Sequence, residues 1–563
     1  MRGEIWRGRA AVVAVGALAA LVARHAGATH IPMCTDVGLP GSGGSSDDTS
    51  QIRGAITAAL GSAGSAGTHA VCFQGGTYAI QTDTGGASFD LGHLGFGSSA
   101  AVDLSLSGAG PGTTLLLEGS NAGTWYMFLI DHGAAHIHFR DMTLDGSAAT
   151  ATDNQLIHIG ANDGLTTDEI TLENVAIRNS HNEGMGASGS ASSITTTHIA
   201  ISDGMITGNA SQGLDIAAGV ENVQVSGTTF AANGSEDIRA HGYPIDGLVL
   251  AGNVFVRGGA TTTASVSAHG GGSATAESRM VITRNAILNG RIDLLHVFDV
   301  AIDDNAIVGG ASQATAEILL TGSIDNVMID DNQIIRSNAS SAQNVLFATN
   351  GGGESPSDLV VRGNVFVQPS ANHIVELQST SNASVSGNQL VFTSTSTNTF
   401  GGIFVRALSS GNDEVVVSHN TIDGSAGSGS LANAIWLANG GATAYITHAV
   451  VSGNTAYGCV NGDKFENLWS ASPAPVSADN HFACTNADTA STSTPLIVAG
   501  NASSTQPVHY VSTGVPSVAA PSGSLWTRRD PVGSGSGSAA SVLWVCEGGS
   551  AGCTSGGTGW KNK

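Results

Sequence analysis

The sequence predicts an all-β fold, a parallel β-helix of about twelve coils, and three observations predict it. A six-residue phrase, apolar-x-x-Asn-x-apolar, recurs along the chain, as in Ile302-Asp303-Asp304-Asn305-Ala306-Ile307 and Ile329-Asp330-Asp331-Asn332-Gln333-Ile334. Its first apolar position falls at Phe139, Leu172, Ile201, Val225, Leu250, Ile282, Ile302, Ile329, Val361, Val385, Val417 and Val451, at intervals of 20 to 34 residues. Twelve returns at that spacing mark one structural unit repeated. Each phrase reads as a short period-two strand and a bend, followed by a second strand-like run such as Gly213–Ala217 or Glu317–Leu320, with no crossover helix between them. A chain that winds in coils resolves this, because each short strand then pairs with its own copy one turn later.

The fourth position of the phrase is Asn at 253, 285, 305, 332, 364, 388, 420 and 454. Asn tolerates the left-handed backbone of a sharp corner, and stacked amides can hydrogen-bond up the column. Met142, Val175, Gly204 and Thr228 hold this slot in the four earliest coils, so a differently built corner is expected there.

At the start, Arg2, Arg7 and Arg9 precede the apolar run Ala10–Ala23 and then Ala26-Gly27-Ala28, the layout of a secretory signal peptide over residues 1–28. The run is short for a bilayer, so no membrane span is expected after cleavage, and the protein is expected to be secreted, periplasmic or on the cell surface. Export permits disulfides, and the six Cys fall by proximity into Cys34/Cys72, Cys459/Cys484 and Cys546/Cys553. A formal charge of −24 with 20 Lys and Arg excludes a nucleic-acid partner, since no basic stripe can neutralise phosphates. An acidic polysaccharide is repelled unless a cation or local Arg bridges the contact, whereas a neutral glycan meets no such barrier.

Residues 34–120 read as an N-terminal cap and first coils. Asp47-Asp48 precede an amphipathic helix with Ile52, Ala55, Ile56, Ala59 and Leu60 on one face, and the pair is read as a helix cap. A strand, a Gly turn and a strand follow over Ala70–Ile80. This D-D-T-x-x-I-x-x-A-I helix with its V-x-F-x-x-G-T-Y-x-I sequel, and the later Leu106-Ser107-Gly108-Ala109-Gly110 turn, resemble the start of secreted and phage-borne proteins of the pectate-lyase superfamily. The family usually has Pro where this chain has Gln74 before the Gly turn. The resemblance implies a single-stranded, right-handed parallel β-helix in which the helix caps the first coil. It does not fix chemistry, because that superfamily spans lyases, hydrolases, epimerases and proteins without known activity.

The repeats occupy residues 121–460, a cap or linker 461–512, and a small β module 513–563. That module carries Trp526, Trp544 and Trp560, which serve as its core or as a sugar platform.

With apolar residues inward, alternation places Asp215, Asp237 and Arg239 outward, along with His158, Ser265, Ser267 and His269, while Glu183, His181 and His241 lie at corners. Asp215, Asp237, Arg239, Glu183 and His241 are the catalytic candidates. Paired carboxylates suit glycoside hydrolysis, whereas a lyase needs a base for the sugar C5 proton and a cation such as Arg239 for the anion that forms. Asp303, Asp304, Asp330 and Asp331 are expected to stack within one ladder step, a site whose oxygens suit calcium. Of the polygalacturonase signatures only the fragment Ala268-His269-Gly270 is present, and no complete pectate-lyase signature is found. The expectation is an exported protein that binds, and as a lyase or hydrolase cleaves, an extracellular polysaccharide; the alternative is a non-catalytic, adhesin-like surface rod.

Overall fold

A computed structural model describes residues 34–490 apart from short connecting segments, and beyond them the backbone of five short strands. Residues 1–28, expected to be a signal peptide, lie outside the described residues. The described chain forms two units, residues 1–300 and 301–563. Each contains right-handed parallel β-helix coils whose strands pair with their counterparts one coil on.

In unit 1 a coil has three strands, except that Ala135–Ala149 and Thr167–Arg178 each run unbroken through the first two positions. The first half of the phrase forms the first sheet, with Thr196–Ser202 pairing Val220–Ser226 and that strand pairing Ile245–Ala251. Three residues past the corner form the second sheet, from Met205–Thr207 to Thr229–Ala231 and Val254–Val256. The second run forms the third sheet, through Met185–Ala187, Leu214–Ile216, Ile238–Gly242, Val266–Gly270 and Ile292–Leu295. The register aligns Leu172, Ile201, Val225 and Leu250 on the first sheet and Ile206, Phe230 and Phe255 on the second, all buried in the lumen. Each such side chain contributes on the order of 2 kcal/mol on burial. Unit 2 repeats the plan with Ile329, Val361, Val385, Val417 and Val451 inward.

The Asn column is a ladder. In unit 2, Asn305, Asn332, Asn364, Asn388, Asn420 and Asn454 each donate from Nδ2 to Oδ1 of the next member, the last being Asn480, over 2.9–3.0 Å. The backbone N–H of each donates to the same oxygen. In unit 1, Asn253 pairs with Asn285. The expected left-handed Asn is corrected in one respect. The positive φ belongs to the residue before the ladder position, such as Asp304 (φ 53°), Asp331 (φ 50°) or Gly363 (φ 67°). Asp141, Asn174, Asp203 and Gly227 play that part in the four earliest coils, so their corners share this backbone and lack only the amide ladder.

The capping helix runs Thr49–Leu60 and buries Thr49, Ile52, Ala55 and Ile56. Asp48 is its N-cap residue but makes no side-chain cap; its carboxylate accepts from Ala79 N and Gly41 N and so ties the helix to the strand Gly76–Gln81. Cys34–Cys72 and Cys459–Cys484 are bonded as proximity suggested, whereas Cys553 lies outside the described residues. The coils also run past the expected end at 460. Val476–Ala478 and His481–Ala483 pair with Ile446–Ser452 and Thr455–Tyr457. Ser477 hides this coil in the sequence by standing in the apolar slot, buried with its Oγ on Asp463. In the C-terminal module Leu525–Arg528, Leu543–Cys546 and Trp560–Asn562 pair antiparallel, setting Trp526 opposite Trp544.

Candidate functional site

The third sheet of unit 1 carries a column of outward positions in register, His158, Gly186, Asp215, Arg239, Ser267 and Asp293. Period-two alternation produces it, because Leu214 and Ile216 fill the lumen and turn Asp215 out, as Ile238 and Ala240 do for Arg239. Asp215 and Arg239 form a bidentate pair, Nε to Oδ1 at 2.7 Å and Nη2 to Oδ2 at 3.0 Å, and His241 Nε2 approaches Oδ2 at 3.3 Å. The Asp215 side chain is 14% exposed and that of Arg239 33%. Burial pushes the Asp215 carboxyl up, but the hydrogen bonds from His241 and Arg239 and the charge of Arg239 outweigh it and hold the group below its ordinary value.

On the other side of Gly186 lies His158. Tyr126 stacks on its ring with centroids 4.7 Å apart, Gln155 Oε1 meets Nδ1 at 2.9 Å, and Ser188 Oγ meets Nε2 at 3.3 Å. Glu183 reaches this cluster through Gln155, whose Nε2 donates to Glu183 Oε2 at 2.8 Å. Burial pulls the His158 imidazole down to about 4, a shift that the Asp215 charge only partly opposes.

The structure therefore brings Asp215, Arg239 and His241 together and sets Glu183 beside His158. It does not bring Asp237 to them, which corrects the sequence expectation. The strand begins at Ile238, and Asp237, at the corner before it, turns into the lumen, where it is wholly buried. There it lies 3.6 Å from the equally buried Arg257 and accepts from Asn233 Nδ2 at 2.9 Å. Burial pushes its carboxyl up, against the pull of Arg257. Sequence reasoning missed Tyr126, Gln155 and Asp293. Tyr126 belongs to the strand Thr124–Ile130, ahead of the first phrase, and pairing it with Gln155 needed a register the phrase does not give.

In unit 2, Asp303, Asp330 and Asp331 can each present an oxygen within 4.8 Å of the others, but Asp304 is not in that group. Its residue forms the corner at φ 53°. Arg362 Nε donates to Asp330 Oδ2 at 2.9 Å and supplies the countercharge from within the chain. Three of the four expected carboxylates therefore gather, and Arg362 already neutralises one of them in the place a cation would take.

No family model and no curated protein matches the chain. Solved structures that it resembles include right-handed parallel β-helix proteins. The A-module of the mannuronan C-5 epimerase AlgE6 of Azotobacter vinelandii is 15% identical with a TM-score of 0.39, covering 83% of this chain and 98% of its own. The catalytic unit of a GH87 α-1,3-glucanase from Streptomyces thermodiastaticus is 15% identical with a TM-score of 0.37, covering 85% and 70%. PfbA, a surface adhesin of Streptococcus pneumoniae, is 15% identical with a TM-score of 0.42, covering 77% and 91%. At that similarity they identify no activity for this chain. Among the described residues no helix is long and apolar enough to cross a membrane.

Proposed function

We propose that the protein is exported and binds an extracellular polysaccharide along the third sheet of unit 1, where it acts on uronate residues as a lyase. The observation that carries this is the Asp215–Arg239 pair separated by one rung from a neutral, half-buried histidine. A guanidinium has five N–H donors, and Asp215 takes two, which leaves Arg239 donors for a substrate carboxylate and a way past the repulsion of a −24 chain. In β-elimination a base removes the C5 proton, the C4–O bond breaks, and the departing oxygen takes up a proton; Arg239 stabilises the carboxylate-conjugated anion between those events. Hydrolysis is the weaker reading. It needs one carboxyl held protonated beside an ionised one, and Asp237, the expected partner of Asp215, faces the lumen.

Incubation with a panel of neutral and uronate polysaccharides, following reducing ends, absorbance of unsaturated uronates and product NMR, tests the proposal. The expected result is new absorbance from a uronate polymer, abolished by Arg239→Ala. Reducing ends without absorbance overturn the lyase reading in favour of a hydrolase. Binding without any product favours the adhesin-like alternative.

A further inference from the structure

The hydrogen bonds behind His158 have only one self-consistent polarity. A carboxylate accepts and never donates, so Glu183 requires the NH2 group of Gln155, and the 2.8 Å contact runs from Gln155 Nε2 to Glu183 Oε2. The other end of that amide is then its oxygen, which also only accepts. It lies 2.9 Å from His158 Nδ1, so Nδ1 carries the hydrogen. In a neutral imidazole the second nitrogen is then bare, and Ser188 Oγ, 3.3 Å from Nε2, is the donor to it.

Gly186 makes room for this arrangement. A Cβ at that position would lie 2.7 Å from Gln155 Oε1 and 3.1 Å from His158 Nδ1, crowding both partners of the hydrogen bond between them.

We infer that Glu183 and Gln155 form a relay that fixes His158 in its Nδ1–H tautomer, and that Nε2, once the Ser188 hydroxyl rotates off its lone pair, accepts the substrate proton. Glu183 and Gln155 are then positioning residues, and His158 is the catalytic one. The titratable groups around the imidazole are Tyr126 stacked on it, Glu183 behind Gln155, and Asp215 across Gly186. Burial pushes the Tyr126 phenol up, and Asp153, Glu183 and Asp131 push it further, so it is a proton donor and not a competing base near neutral pH. The role of Nε2 as base rests on the lyase reading above, whereas the tautomer does not.

Imidazole nitrogen NMR on the full 15N-labelled chain at pH 7, with His158 assigned by its loss in His158→Gln, separates the two claims. The expected spectrum has Nδ1 protonated and Nε2 bare. Glu183→Gln presents an amide that either donates or accepts, so both tautomers become populated, while Ser188→Ala, which leaves Nδ1 untouched, keeps the single tautomer. A wild-type His158 with Nε2–H, or one that is imidazolium at pH 7, overturns the relay. If the polysaccharide panel gives turnover, Glu183→Gln lowers kcat about tenfold or more with KM little changed, and His158→Gln lowers it by roughly a hundredfold to ten-thousandfold. Full turnover by His158→Gln overturns the base role and leaves the relay standing, and a panel without turnover removes the base role in the same way.

Discussion

The third sheets of the two units share one coil geometry and carry opposite surfaces. In unit 1 the outward column is His158, Gly186, Asp215, Arg239, Ser267 and Asp293; in unit 2 it is Phe347, Glu376, Phe404, Trp436 and Lys464. Phe404 and Trp436 lie 4.6 Å apart, His373 stacks on Phe404 at 4.3 Å and lies 5.9 Å from Trp436, and Lys464 sits 4.1 Å over Trp436. At the roughly 4.8 Å spacing of paired strands, large flat side chains on successive coils stack on one another. In unit 1 Gly186 has no side chain in the column, and Gln155 and His158 occupy the space over it. The same scaffolding thus gives an aromatic stack in one unit and a polar, hydrogen-bonded patch in the other, according to the side chains that successive rungs carry.

The lumen offers the largest test of this contrast. Arg336 and Glu317 in unit 2 are both 0% exposed and paired at 3.0 Å, with Arg336 Nη1 also donating to Thr315 O at 2.8 Å. Arg336→Met leaves a buried carboxylate alone and is expected to cost about 3–5 kcal/mol in denaturant unfolding, most of it recovered when Glu317→Leu is added. In unit 1, Arg257→Met should cost less, because its partner Asp237 is already pushed towards the neutral acid by burial and can stay protonated. Equal losses in the two units would break the comparison.

Among the described residues, the half-buried His158 of unit 1 and the buried His373 of unit 2 give the next effect. Burial pulls His158 down to about 4 and His373 to about 3, while an unfolded histidine titrates near 6.5. The unfolded chain therefore binds protons that the native one refuses. The stability they contribute is complete above pH 6.5 and is lost as pH falls towards 4 for His158 and towards 3 for His373. The loss is on the order of 3 kcal/mol for His158 and about 5 kcal/mol for His373, and His158→Gln and His373→Gln should each flatten part of the stability–pH curve.

The smallest effect belongs to the acidic cluster of unit 2. Melting temperature should not respond to calcium, since Arg362 already pairs with Asp330. Arg362→Gln should lower it slightly, and more at low salt, because the pair is exposed and screened. A calcium-dependent rise in the wild-type melting temperature would contradict the role given to Arg362.

Much of the architecture was legible because Asn stacks on Asn in successive coils and leaves a repeating letter in the sequence. Asp215 and Arg239 were legible for a similar reason, each lying between two lumen-facing apolar residues on a three-to-five-residue strand. Asp237 was misplaced by carrying the alternation one residue beyond the start of that strand, where a corner replaces the pleat. The charged lumen pairs gave no signal, since Arg336 and Glu317 sit nineteen positions apart and meet only through the coil. The aromatic stack of unit 2 was equally silent. Phe404 and Trp436 are neighbours through a register read across coils, and His373 joins them from the corner before Val375.

The most direct test of where this protein meets its ligand is hydrogen-exchange footprinting of the full chain with a uronate oligosaccharide. Protection confined to Met185–Ala187, Leu214–Ile216 and Ile238–Gly242, and lost in Arg239→Ala, is the predicted outcome. Protection over the Phe404 and Trp436 strands instead, unchanged by Arg239→Ala, would contradict it.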